Sequence, residues 1–156
     1  IGDAVGGMML AHAASAQGLT VVHAIAGEEA PLCLDAIPAC VYVSPEIASV
    51  GLTQADCQQR GIEVKVGKAL MGANGRTLIA GGQRGFIKVV VSAENGRVLG
   101  AQLMCERATD MIDSFTVAIA NGLTATQLMR AVRPHPTFLE AVGEALDALE
   151  GRAIHS

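Results

Sequence analysis

The stretch FIKVVVSAENGRVLGAQLMC, residues 86–105, decides the fold. Two β-rich runs, 86–92 and 97–105, flank Asn95-Gly96. Both central residues of a type I′ turn take positive φ, which Asn-Gly adopts with least strain, so the pattern predicts an antiparallel hairpin. Upstream, Ile62, Val64 and Val66 alternate with Glu63, Lys65 and Gly67, the signature of a half-buried strand. Residues 37–43 and 47–52 supply two more strands around Ser44-Pro45, and Thr53-x-x-Asp56 opens a helix that Gly61 ends. Downstream, the spacing of Met111, Phe115, Ala118 and Ile119 predicts a helix over 107–121 with Gly122 as its stop. Thr124-x-x-Gln127 opens a short helix, and a last one covers 138–150 before Gly151. At the amino end, residues 7–17 read as a helix closed by Gly18, 19–25 as a short extended or helical piece, and 27–31 as a linker. Strands first and helices last predict an α+β fold, an antiparallel sheet with helices packed on one face.

A chain of 156 residues holds one ordinary domain with a real core. Charged residues make up 17% and AVILMFWYC 51%, with one Tyr, three Phe and no Trp, so the apolar content is aliphatic. That is more apolar surface than a lone domain of this size hides, which predicts a buried partner surface. A net charge of −4 with no basic stripe excludes nucleic acid as a partner. Residues 4–27 carry no formal charge, but His12, Ser15, Gln17, Gly18 and His23 interrupt them, so they are read as buried against other protein and not as a membrane span. The first residue is Ile1 and the opening is Gly-rich without a basic region, so the chain is expected to be a fragment or a processed product. Cys33, Cys40, Cys57 and Cys105 lack metal or C-x-x-C spacing and are read as small buried hydrophobes in a reducing, cytoplasmic setting.

The segment with chemistry is Arg133-Pro134-His135-Pro136-Thr137-Phe138-Leu139-Glu140. An imidazole held by a carboxylate keeps one tautomer, and the anion favours imidazolium, which together make a general base; two prolines stiffen the backbone that presents it. The same residues admit a structural reading. Thr137-x-x-Glu140 is a capping box, in which the Thr hydroxyl satisfies the Glu140 amide and the Glu side chain reaches back to the Thr137 amide. Spacing alone leaves both readings open. His12, three residues after Met9 on an apolar helix, reads equally as a satisfied core histidine, Asp3 as a helix cap, and the six methionines as filler. His23 and His155 have no partner pattern.

His-Pro-Thr-x-x-Glu at 135–140, followed by Ala141 and a helix, is similar to the carboxy-terminal signature of the pyridine nucleotide-disulfide oxidoreductases, especially the dihydrolipoamide dehydrogenases. Ile1-Gly2-Asp3 with Met9-Leu10-Ala11-His12 resembles that family's last flavin-binding segment. Ile37-Pro38 and residues 45–53 resemble the entry to its interface domain, and Ala73-Asn74-Gly75-Arg76, Gly85-Phe86-Ile87-Lys88 and Leu99-Gly100 follow in family order.

The resemblance implies the following. Residues 1–30 would be the tail of an FAD-binding domain and 31–156 a dimerisation domain. His135 would take a proton from a dithiol substrate such as dihydrolipoamide, with Glu140 orienting and balancing the imidazole. Asp3 and Met9, Leu10, Ala11 and His12 would lie along the flavin. FAD and NAD would serve the full enzyme, a homodimer in which His135 faces the neighbouring subunit's disulfide, and the His135–Pro136 peptide would be cis. The sequence departs from the pattern at Arg133, where a second histidine is usual, and at Met8, where a proline is usual. It also lacks a G-x-G-x-x-G turn and two cysteines five residues apart. The isolated chain is therefore expected to bind neither cofactor and to be inactive. The same domain occurs in glutathione- and mercuric-reductase-like enzymes, and a non-catalytic dimerisation module would share its fold.

Overall fold

In the computed structural model, which describes residues 1–82 and 84–154, β4 (Phe86–Ser92) and β5 (Val98–Cys105) pair antiparallel. Their turn is not the expected two-residue type I′ turn. Ser92 N–H donates to the Arg97 carbonyl at 2.9 Å, which leaves Ala93 to Gly96 as the loop. Gly96 takes φ 72° while Asn95 stays at negative φ. Asn95 instead accepts the Arg97 N–H on its side-chain oxygen at 3.1 Å, the habit that makes Asn a turn residue without a left-handed backbone. Leu99 is an extra residue in β5, since Val90 pairs with Gly100 and Val91 with Val98.

Around this hairpin the described residues form a sheet in the order β1-β2-β5-β4-β3, with β1 at Ala39–Val41, β2 at Glu46–Gly51 and β3 at Val64–Leu70, every neighbouring pair antiparallel. One face carries the main core, with Val50, Ala69, Ile87, Val89 and Leu103 projecting from it. Onto these pack α4 (Ala108–Met111), α5 (Asp113–Ala120) and α7 (Glu140–Asp147), which contribute Met111, Phe115, Ala118, Val142 and Leu146. The expected α+β architecture is therefore present. The single helix expected over 107–121 is divided at Ile112, and Arg107 precedes it at φ 65°. α6 (Ala125–Met129) opens with the Thr124/Gln127 capping box.

One helix lies on the opposite face. α2 (Gln54–Gln59) starts at the Thr53/Asp56 capping box and stops before Gly61. Lys88 Nζ donates to Gln54 Oε1 at 3.0 Å, which places α2 over the β4 face that also bears Val90. Val90 and Cys57 are fully buried there, apart from the main core.

One local reading needs correction, and the structure adds detail to a second. α1 spans Ala11–Ala26, so Gly18 lies inside it and Gly27, at φ 74°, ends it. Gly18 fits mid-helix because the Ile1 side chain rests 3.3 Å from where a Cβ would stand. In β3 the strand is where alternation predicted, but Val64 and Val66 face away from the main core and Gly67 and Ala69 face it. The cause is the close approach of α7: a Cβ on Gly67 would lie 1.9 Å from the Ala145 carbonyl oxygen. Lys65, on the same face, reaches Glu150 just past α7 at 3.2 Å.

A tertiary cap fixes the other end of the sheet. Glu46, at the start of β2, accepts the Thr109 N–H at 3.0 Å and its hydroxyl at 2.7 Å in the first turn of α4. These bonds hold the Glu46 carboxyl below the usual carboxylate range. No helix among the described residues is long and apolar enough to cross a membrane.

Two outcomes follow from this packing. Gly67→Val should push α7 off β3 and lower stability by about 2–3 kcal/mol, the scale of core overpacking, read by urea unfolding. Thr109→Val should cost about 1 kcal/mol at pH 7, the hydrogen bond being partly exposed. Because the folded state lowers the Glu46 pKa, this stability is present above the unfolded value and is lost as pH falls through the folded one. The gap between parent and variant should therefore close below about pH 4.

Candidate active site

The loop from Ala131 to Leu139 joins α6 to α7, and its first anchor is Arg133. The guanidinium donates to the Leu128 carbonyl at 3.2 Å and the Ala131 carbonyl at 3.1 Å, and it lies 3.7 Å from where a Cβ on Gly143 would be. It thus caps the end of α6, turned back toward the body of the protein, and burial lowers its pKa while Asp147 opposes that. The departure at Arg133 adds a brace behind the loop.

His135 follows between Pro134 and Pro136, with a cis His135–Pro136 peptide as the resemblance implied. Its Nδ1 lies 2.8 Å from Glu140 Oε1. The other carboxylate oxygen, Oε2, accepts the Thr137 N–H at 2.9 Å. The Thr137 hydroxyl donates to the Pro134 carbonyl at 2.7 Å, and Leu139 stands at the cap of α7 without a side-chain cap bond. The capping box is thus half made. Its Glu arm is present and its Thr arm has turned into the loop. The two readings that spacing left open are not alternatives, because one carboxylate uses one oxygen for the backbone and the other for the ring.

An ionised carboxylate only accepts, so in this geometry the imidazole donates from Nδ1 and a neutral ring carries its lone pair on Nε2. Exposure divides the pair usefully: the His135 side chain is 78% exposed and that of Glu140 31%. The ring can meet an incoming group while the carboxylate is sheltered behind it. A second His–Glu pair with the same five-residue spacing, His23 and Glu28, has a 2.9 Å contact but the reverse exposure, 32% and 65%. There the carboxylate faces outward, and among the described residues no backbone bond fixes it. His23, which had no partner pattern in the sequence, is the helix-end partner of Glu28; His155 lies outside the described residues.

His135 and Glu140 border a cavity of about 330 Å³ together with Leu70, Ala73, Asn74 and Glu144. Asn74 is the residue that sequence reasoning undervalued. Its Oδ1 accepts the Thr77 N–H at 2.9 Å as the cap of α3 (Gly75–Ile79), and its Nδ2 donates to the Thr137 carbonyl at 3.0 Å. The capping role is readable from Asn before Gly-Arg-Thr; the bond to Thr137 spans 63 residues and is not.

The remaining site residues lie at the other end of the chain. Asp3 is exposed in a 3-10 turn, Gly2–Val5, whose Gly2 N–H donates to Gln17 of α1 at 2.7 Å. Met9 is exposed, Leu10 is the cap residue of α1, and Ala11 and His12 form its first turn. Leu10 offers no polar side chain to the first-turn amides, so this helix end retains donors for an acceptor-rich ligand edge. His12 is exposed and not a core residue; its Nε2 lies 2.7 Å from the Pro38 carbonyl, tying α1 to the strand that follows. These residues suit one edge of a flavin site.

The four cysteines are all free. Cys57 and Cys105 are buried, and burial raises both thiols, Cys105 to about 12. Cys40 is partly buried and also raised, whereas Cys33 is exposed, contrary to its reading as a buried hydrophobe.

A family model described as "Pyridine nucleotide-disulphide oxidoreductase, dimerisation domain" matches residues 37–146. The dihydrolipoyl dehydrogenase of Zymomonas mobilis is 42% identical over 99% of this chain and 34% of that protein. That of Bacillus subtilis is 40% identical over 99% of this chain and 33% of that protein. The chain thus spans about a third of the length of the curated relatives it matches. The crystal structure of LpdA from Mycobacterium tuberculosis superposes with a TM-score of 0.88 at 27% identity, over 95% of this chain and 32% of that one. The flavoprotein disulfide reductase RclA from Escherichia coli has the same fold, with a TM-score of 0.84 at 24% identity over 94% of this chain and 34% of that one. With its site geometry, its sheet and a family match over most of its length in agreement, the chain belongs to the pyridine nucleotide-disulphide oxidoreductase family, and residues 37–146 correspond to that family's dimerisation domain.

Proposed function

We propose that this chain is the carboxy-terminal part of a flavin-dependent dihydrolipoamide dehydrogenase. In this reading residues 1–30 close an FAD-binding domain, 31–156 form the homodimer contact, and His135 with Glu140 handles the protons of dithiol oxidation. The observation that carries it is the Glu140 carboxylate, fixed by the Thr137 amide and held 2.8 Å from an imidazole whose outer side is open. Relatives at 40–42% identity that are dihydrolipoyl dehydrogenases support this substrate class over a glutathione- or mercuric-reductase-like one. The free cysteines are in keeping with a cytoplasmic enzyme.

The chemistry assigned to these residues is a proton transfer. Nε2 of His135 takes the proton from one substrate thiol, and the resulting thiolate attacks a redox disulfide supplied from outside this chain. A new S–S bond forms, the old one breaks, and one cysteine leaves as thiolate. The second substrate thiol then passes its proton to the first cysteine thiolate and attacks the substrate sulfur of that mixed disulfide; the mixed S–S bond breaks, the cyclic disulfide product forms and the other cysteine leaves as thiolate. Glu140 stabilises the imidazolium formed in the first step and keeps the ring from rotating. Asp3 and the start of α1 would hold one edge of FAD, which when bound supplies the path for electrons to NAD.

In the full-length flavoenzyme, His135→Gln should lower kcat for dihydrolipoamide oxidation by about 10²–10⁴-fold with flavin content retained, the range expected on losing a general base. Glu140→Gln keeps one acceptor where two are used and removes the charge, so a loss of about 10-fold is expected. Steady-state turnover of both variants checks this, and wild-type rates in His135→Gln would remove the acid–base assignment.

A further inference from the structure

We infer that Asn74 is a positioning residue for the His135–Glu140 pair, acting through Thr137 from a separate part of the fold. The inference rests on the acid–base reading above. Thr137 is the joint of the catalytic loop. Its N–H fixes Glu140 Oε2 at 2.9 Å, its hydroxyl holds the Pro134 carbonyl at 2.7 Å, and its carbonyl accepts from Asn74 Nδ2 at 3.0 Å. The first two bonds begin and end within residues 134–140, so the loop and its carboxylate could shift together with both intact. Among the described residues, the bond from Asn74 is the one hydrogen bond of Thr137 that comes from outside that segment. It ties the joint to the junction of β3 and α3.

The donor is itself well fixed. Asn74 is 7% exposed, and its Oδ1 accepts both the Thr77 N–H at 2.9 Å and the Thr77 hydroxyl at 3.0 Å. Those two bonds set which end of the amide is oxygen, so Nδ2 is the end directed at Thr137. A second contact supports the same connection: the Arg76 guanidinium of α3 lies 5.9 Å from the centre of the Phe138 ring, one residue beyond Thr137. Both residues that matter for chemistry are thus referred to the sheet by two routes. Glu140 is fixed through α7, which rests on Gly67, and the His135 loop is fixed through Asn74, four residues beyond the end of β3. A general base misplaced by even about 1 Å loses much of its effect, which gives the second route a purpose.

The dual use of the Asn74 side chain allows its roles to be separated. Asn74→Asp keeps an acceptor for Thr77, and Asp caps helices as well as Asn does, but it cannot donate to the Thr137 carbonyl when ionised. Asn74→Ser keeps a cap without the new charge and without the reach. In the full-length flavoenzyme both variants should retain flavin, dimer and thermal midpoint. Their kcat for dihydrolipoamide oxidation should fall about 5–50-fold with KM changed less than about twofold, and flavin reduction by NADH, which does not call on His135, should be unchanged. In a His135→Gln background Asn74→Ser should add no further loss, because a residue that acts through another has nothing left to position.

Turnover within twofold of the parent in both Asn74 variants would overturn the inference. So would an equal loss in the NADH half-reaction, or a full additive loss in the His135→Gln background. If Asn74→Asp does not fold, Asn74→Ser decides alone. The underlying acid–base reading fails separately, by wild-type turnover in His135→Gln itself.

Discussion

A helix backbone resting directly on a strand backbone governs the geometry of this protein. At Gly67 the Ala145 carbonyl oxygen of α7 occupies the space where any other residue would put its Cβ. Glu140 begins the same helix, five residues before Ala145, so the depth at which α7 sits sets how far its carboxylate can reach toward His135. The core behind this contact is aliphatic and closely filled, with Ala69, Ile87 and Val89 from the sheet against Ala141, Val142, Ala145 and Leu146. Small residues on the helix permit the approach, and the absence of a side chain on the strand completes it. A site resting on packed backbone has little freedom to drift.

The use of one carboxylate for two tasks explains why the chemistry resists a reading from spacing. In a capping box a Glu reaches back to the amide three residues before it, and Glu140 does so at Thr137, just ahead of α7. The difference is that its second oxygen is spent on an imidazole and not on water. The contrast with His23 and Glu28 is instructive, since an identical spacing and a similar distance occur at the end of α1. There the carboxylate is the exposed member, and no amide among the described residues fixes its second oxygen. Proton handling requires an accessible ring with a sheltered counter-charge, and of these two pairs the one at 135 and 140 has that order of exposure.

Surface composition agrees with a chain that works within a larger assembly. On α1, Leu19, Val22 and Ile25 are 51%, 63% and 82% exposed, and at the sheet edge Tyr42 is 81% exposed. Val132, at the start of the loop that carries His135, is 97% exposed. The low charge content already pointed to partner surfaces, and exposed apolar side chains lie on α1, by the β1 edge and at the start of the loop. A family match to a dimerisation domain accords with that distribution.

The sequence by itself determined the hairpin, the strand positions, the capping boxes of α2 and α6, and the candidacy of His135 and Glu140, because each of these depends on residues within a few positions of one another. Local physics suffices there: periodicity, turn chemistry and side-chain-to-backbone bonds. It misjudged the stop of α1, where two glycines competed and the Ile1 contact made Gly18 acceptable in mid-helix. It did not show that Gly67 and Ala69 form the inner face of β3, because Gly67 reads as a neutral spacer until α7 is laid upon it. Tertiary structure alone decided that Glu46 caps α4, that Arg133 turns back onto α6, and that Asn74 bonds the loop that carries His135. The bonds from Glu46 and Asn74 each span 63 residues, and Arg133's orientation depends on the packing of α6 against α7. Contacts of that kind leave no periodic trace, since they are set by where the folded sheet and helices bring distant segments together.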